Sequence, residues 1–256
     1  MDKSMTQLIV LGAGWLGQPL CRQANERGWQ VQGTRRNPDP TVPFERQFSL
    51  LEERVTHTLS LHNAWWVCAI PPRARNKDSQ YLHTLEHALT LSKDMSAKGF
   101  LLCSSTGVYS RADGLYNEHS SIETSTDRQQ MLVNAERMVL NQGGKVLRLA
   151  GLVGPNREPG QFIAAKALKS SSHGHVNMVH QQDVLNGIFT VLSNWHHNQA
   201  IYNLCHPWHP TRAQYYQQKC QLLETQPPTF SCDTESERII DGSAIEQLGF
   251  EYLHAI

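Results

Sequence analysis

The chain has no surplus of charge of either sign: its 256 residues carry 23 Lys and Arg against 23 Asp and Glu. That balance provides no net field to recruit nucleic acid or an anionic membrane surface. Paired cysteine motifs are missing as well. Cys21, Cys68, Cys103, Cys205, Cys220 and Cys232 are scattered without any C-x-x-C, and three lie in apolar runs where cysteine serves as a small hydrophobe, so a reducing, cytoplasmic setting is expected. No apolar run approaches the roughly 18 residues of a spanning helix, and the opening MDKSMTQ reads as neither signal peptide nor membrane anchor. Repeats and low-complexity tracts are also lacking.

What is present is a rhythm. QLIVLG, WQVQGT, AWWVCAI, FLLCSS and KVLRLAG read as short buried strands. Between them, WLGQPLCRQANERG and DSQYLHTLEHALTLSKDMSAKG carry apolar residues at helical spacing and end at a glycine. Alternation of this kind predicts parallel βαβ units and an α/β, doubly wound sheet over residues 1–150, with 176–205 returning to it. The segments 151–175 and 206–256 predict a small substrate lobe. Within the returning segment, DVLNGIFTVLSNW reads as a helix with Asp183 at its N-cap, and AIYNLC as a last strand.

The first strand ends in LGAGWLG, where Gly12, Gly14 and Gly17 form G-x-G-x-x-G between a strand and a helix. Gly12 permits the tight turn, Gly14 lets the main chain approach a pyrophosphate, and Gly17 lets the helix pack on the strand. The helix N-terminus then faces the negative charge. A dinucleotide is the ligand such a loop holds. The second strand ends in Thr34, Arg35 and Arg36, with no carboxylate to take a ribose 2′-hydroxyl. A guanidinium pairs with a 2′-phosphate where an acid would repel it, so NADP is expected over NAD. Trp15 is expected to cover the pyrophosphate.

With GAGWLG, GTRR, SSTGVYS, LRLAGLVGPNR and NMVHQQDV in this order, the chain resembles the NAD(P)-dependent epimerase/dehydratase family, the extended short-chain dehydrogenases, over roughly residues 6 to 205. The resemblance implies a Rossmann domain whose cofactor also meets Leu16, Ile70 and Ser104. It further implies hydride chemistry assisted by a serine, for which Ser105 stands in place with Thr106 beside it. A tyrosine and a lysine four residues apart complete the family's set. Aligning Glu136 with the family's helix glutamate puts Arg128 at the tyrosine position and Leu132 at the lysine position, and the chain is expected to contain no Tyr-x-x-x-Lys pair. Tyr109 is then the candidate substitute acid, while Arg128 and Arg157 are candidate anchors for an anionic substrate. Two classes stay open: an oxidoreductase or epimerase lacking the usual acid/base pair, and a dinucleotide-binding sensor that catalyses nothing.

The remaining polar residues read as structural. His83 and His87 match H-x-x-E-H, but Leu82, Leu85 and Leu89 make the apolar stripe of that helix and no third ligand is indicated, so no metal is expected. HPWH (His206–His209) reads as a turn with two exposed histidines, Arg148 as half of a buried ion pair, Glu118 as a hydrogen-bonding loop acid, and Trp65 and Trp66 as core.

Overall fold

The structure is a computed structural model that describes residues 5–51, 54–72 and 80–256. In chain order the strands are β1 (Gln7–Leu11), β2 (Gln30–Arg35), β3 (Glu45–Leu51), β4 (Arg54–His57), β5 (Trp65–Cys68), β6 (Gly99–Ser105), β7 (Gly114–Tyr116), β8 (Lys145–Leu149), β9 (Gly151–Val153), β10 (Ala167–Ser171), β11 (Met178–His180), β12 (Ile201–Leu204), β13 (Thr229–Cys232) and β14 (Arg238–Ile240). The helices are α1 (Gly17–Glu26), α2 (Tyr81–Asp94), α3 (Asp127–Leu140), α4 (Pro159–Phe162), α5 (Gln181–Ser193) and α6 (Arg212–Leu222). The start of the expected second helix, at Asp78 and Ser79, lies outside the described residues.

An eight-stranded sheet runs in the order β12-β8-β6-β5-β1-β2-β3-β4. β1 pairs in parallel with both β2 and β5, and β3–β4 is an antiparallel edge pair. The chain leaves β1 in one direction and returns to its other side at β5, which makes the carboxyl ends of β1 and β5 the topological switch point. Every short apolar run expected to be a strand lies in this sheet, because strands covered on both faces lose the polar half of the period-two pattern.

The chain divides into two compact units. The first comprises Met1–Ser104, Glu123–Leu147 and Trp195–Ile201, and the second Ser105–Ile122, Arg148–Asn194 and Tyr202–Ile256. In the first unit β1 alternates its faces. Val10 lies toward Gly17 of α1, while Ile9 and Leu11 join Trp66, Tyr81, Leu85, Leu89, Phe100, Leu102, Ala135 and Val139 in one buried cluster beneath α2 and α3. Trp65 is half-buried and packs on Trp195 with ring centroids 5.0 Å apart. The second unit holds three two-stranded parallel pairs, β10–β13, β11–β9 and β14–β7, and a small core of Val153, Val176, Tyr215 and Ile256.

The expected N-cap of α5 requires correction. The helix begins three residues earlier, at Gln181, and His180 caps it, its Nδ1 accepting from the Gln182 N–H at 3.1 Å. Asp183 lies inside the first turn with no exposed surface, and accepts from the backbone N–H of Leu253 and His254 and from Nδ1 of His254 at 2.7 Å. Those partners are some seventy residues away in sequence, out of reach of a local capping rule.

Candidate functional site

Within the first unit, β1 delivers the glycine loop to the switch point. Gly12 has φ +89°, a left-handed conformation that favours glycine, and a Cβ there would stand 3.0 Å from the Ile70 side chain. Any Cβ at Gly17 would collide with the Gly12 carbonyl oxygen. Gly14 differs from both: a Cβ built on it meets nothing within 4 Å, so the space above it is open to a ligand. The loop is fixed from β2, since Thr34 Oγ1 accepts from Gly12 N–H at 2.9 Å and Thr34 O accepts from Ala13 N–H at 2.8 Å. Thr34, 2% exposed, thus acts by holding the loop.

No side chain caps α1 at Leu16, and the first turn carries no acid. Both features suit a helix end that receives an external anion. Trp15 is half-buried and Leu16 buried beside it. The residues present therefore fit a dinucleotide: an open Gly14 face, an uncapped helix end, and Ile70 of the neighbouring strand end against Gly12.

At the end of β2 the two arginines differ. Arg35 Nε is 2.6 Å from Glu45 Oε1, and the carboxylate is buried. Arg36 is exposed and makes no ion pair among the described residues. Ser104, at the end of β6, is buried and donates to Glu136 Oε1 at 2.6 Å, so its hydroxyl is committed to α3. On that helix Arg128 is exposed and Leu132 buried.

The second unit holds the segment from Ser105 onward. Ser105 is half-buried, and its Oγ accepts from Gly107 N–H at 3.1 Å, which leaves the hydroxyl proton able to donate. Thr106 is buried with its Oγ1 3.4 Å from Leu149 O. Tyr109 is 1% exposed, donates to Asn203 Oδ1 at 2.8 Å and accepts from Arg148 at 2.8 Å, with the guanidinium also over its ring. Burial raises its pKa above the ordinary value despite the pull of Arg148 and Asn203. A sealed, doubly bonded phenol presents no proton to a substrate in this state. Glu118 accepts from Asn203 N–H at 2.6 Å, and burial raises its pKa. Arg157 lines an open cavity of about 350 Å³ together with Asn156, Glu158, Gln161 and Phe162.

The expectation that the chain contains no Tyr-x-x-x-Lys pair is wrong: Tyr215 and Lys219 stand at that spacing on α6. The spacing stands in the sequence itself, in the C-terminal segment. His206 and His209 are half-buried, not exposed, and burial lowers the pKa of each.

No family model matches the chain. It is 34% identical over 265 residues to Protein YeeZ of Escherichia coli K12, an alignment that covers 97% of this chain and 96% of that protein. The chain belongs to the YeeZ family. A YeeZ protein of Escherichia coli O157:H7 matches to the same extent. Among solved structures, MoeE5 in complex with UDP-glucose and NAD superposes with a TM-score of 0.79 at 18% identity, covering 98% of this chain and 94% of that one. The UDP-glucose 4-epimerase of Thermotoga maritima gives 0.76 at 15% identity, covering 98% and 94%. A short-chain dehydrogenase/reductase superfamily protein of Agrobacterium tumefaciens with bound NAD gives 0.75 at 14%, covering 97% and 93%. This member of the YeeZ family therefore has the epimerase/dehydratase fold.

Proposed function

We propose that the chain is an NAD(P)-dependent oxidoreductase or epimerase acting on a small, anionic substrate, with NADP as its preferred cofactor. One observation carries the reading: the open face of Gly14 beside an uncapped helix end. The backbone of Gly12 to Gly17 holds the pyrophosphate, Trp15 and Leu16 flank it, Thr34 fixes the loop, and Ile70 and Ser104 line the cofactor from the ends of β5 and β6. Arg36 takes the 2′-phosphate. Bound nicotinamide supplies a hydride donor or acceptor. Ser105 holds a substrate oxygen through its hydroxyl proton, with Thr106 beside it, and Arg128 and Arg157 attract substrate anions. The neighbours with NAD in their structures support the dinucleotide half of this reading.

A second reading is a dinucleotide sensor without turnover. It is favoured by Arg128 and Leu132 at the helix positions where the resemblance places the acid/base pair, and by the sealed hydroxyl of Tyr109. General acid/base help is worth about 10²- to 10⁴-fold, so its loss leaves binding intact and turnover near the floor. An NADPH-oxidation assay over carbonyl compounds and nucleotide sugars, run beside a calorimetric NADPH titration, separates the readings. Binding with turnover that Ser105→Ala lowers supports the enzyme, binding alone supports the sensor, and no binding overturns both.

A further inference from the structure

The segment from Phe250 to Ile256 belongs to no helix or strand, yet its side chains alternate as those of a strand do: Phe250, Tyr252, His254 and Ile256 are buried or half-buried, while Glu251, Leu253 and Ala255 are exposed. Each inward residue is an anchor within the second unit. Phe250 packs edge-on against Tyr252 with centroids 4.8 Å apart, and the Tyr252 hydroxyl accepts from Cys205 N–H at 3.2 Å and donates to Gly242 O at 2.9 Å. Ile256 fills the small core beside Val153, Val176 and Tyr215. The polar anchor is Asp183, whose unexposed carboxylate takes the N–H groups of Leu253 at 3.2 Å and His254 at 3.1 Å and the His254 Nδ1–H at 2.7 Å.

The His254 ring is stacked on that of His180, with centroids 5.1 Å apart and planes 14° from parallel. The two rings use Nδ1 in opposite ways. His254 donates from it to Asp183, whereas His180 accepts the Gln182 N–H through it and so carries no proton there. A proton added to His180 removes the acceptor that caps α5, and with His254 also charged it sets two imidazoliums face to face over one carboxylate. The surroundings already disfavour that proton: burial, then His254, lowers the His180 pKa against Asp183 and Glu158, and Lys219 of α6 lowers it further. His206 also faces Asp183, which raises its pKa against the larger effect of burial.

We propose that His180 and His254, stacked over Asp183, form an acid-sensitive latch that holds the Phe250–Ile256 strap in place near neutral pH and releases it when both rings are protonated. Release gives up three hydrogen bonds at Asp183 and the contacts of Phe250, Tyr252 and Ile256, with no strand pairing to break, so the strap opens before the sheet does. It uncovers Cys205, 1% exposed, because Tyr252 walls the cavity of about 200 Å³ that Cys205 and His209 also line. By linkage, the released chain takes the His180 proton more readily than the closed one. The closed form is therefore favoured above about pH 6.5 and loses ground as pH falls below that value. The latch lies wholly in the second unit and does not depend on the cofactor reading.

Hydrogen exchange of the full chain tests the latch, read by mass spectrometry on fragments spanning Phe250–Ile256 and corrected for the intrinsic pH dependence of exchange. Protection of the Leu253 and His254 amides should fall about fivefold between pH 7.5 and 5.5 while that of β1 and β5 stays high, since uptake of one proton changes the open population at most about tenfold per pH unit. His180→Asn, which keeps a capping side chain, and His254→Gln, which keeps a donor for Asp183, should each lose most of that fall. Asp183→Asn should open the strap at pH 7.5 and let iodoacetamide alkylate Cys205 faster than in the wild type, ahead of the buried Cys21 and Cys103 of the first unit. The proposal is overturned by protection that does not change with pH, by an equal loss in β1 and β5, by an undiminished fall in both histidine variants, or by unchanged Cys205 alkylation in a folded Asp183→Asn protein. Should Asp183→Asn not fold, the exchange of the wild type and the histidine variants decides.

Discussion

Arg35 and Glu45 form a 2.6 Å ion pair between the adjacent strands β2 and β3, and the second Glu45 oxygen accepts from Asp39 N–H at 2.8 Å. The Arg35 charge is therefore already met by a buried carboxylate, and the proposed reading assigns a 2′-phosphate to Arg36. Arg36→Ala should erase a preference for NADPH over NADH that we expect to be roughly tenfold or more, the worth of a hydrogen bond to a charged group. Arg35→Ala should leave that ratio nearly unchanged and instead lower stability by about 1–3 kcal/mol, by stranding Glu45. Paired NADPH and NADH titrations with urea unfolding check both. Loss of selectivity in Arg35→Ala alone would reverse the assignment.

Tyr109→Phe should behave as a stability variant. It removes a buried hydroxyl shared by Asn203 and Arg148, and the partners left behind make a loss of about 1–3 kcal/mol the expected outcome in urea. Any turnover the wild type shows should persist. Loss of turnover in a variant of unchanged stability would make Tyr109 the acid after all.

Much of the first unit is legible in the sequence, and the reason is local. The strands of the central sheet are short apolar runs because both faces are covered, and the glycine loop announces itself because backbone geometry restricts Gly12 and Gly17 within six residues of each other. Relationships between distant segments are not legible. Nothing near Arg35 marks Glu45 as its partner, nothing in HQQDV tells that Asp183 holds the C-terminal His254, and Tyr109 looks like a loop residue until Asn203 and Arg148 close over it. Tyr215 and Lys219 were readable as spacing, but only burial shows an unpaired hydroxyl there.

Stability should fall in mild acid. His180 accepts the Gln182 N–H through Nδ1, which requires a neutral ring, and burial, then His254, lowers its pKa against the opposing charges of Asp183 and Glu158, with Lys219 lowering it further. A histidine whose folded pKa lies below the unfolded value lets the unfolded chain take the proton first. Stability is then full above about pH 6.5 and declines as pH drops through that value toward the folded pKa. His206 and His209 act in the same direction. Urea midpoints between pH 7.5 and 5.5 should decrease, and His180→Asn, which keeps a capping side chain without a titrating one, should flatten part of the slope. An identical slope in that variant would remove His180 from the account.

The central claim is that the loop from Gly12 to Gly17 holds a dinucleotide, and Gly14 tests it most directly because a Cβ there meets no non-neighbouring protein atom within 4 Å. Gly14→Val should therefore fold with a melting temperature close to that of the wild type. Calorimetric titration of NADPH into both proteins should show binding to the wild type and at least a hundredfold loss in the variant, about 2.7 kcal/mol, as the valine occupies the space the pyrophosphate needs. Equal NADPH affinity in a folded Gly14→Val protein would contradict the account.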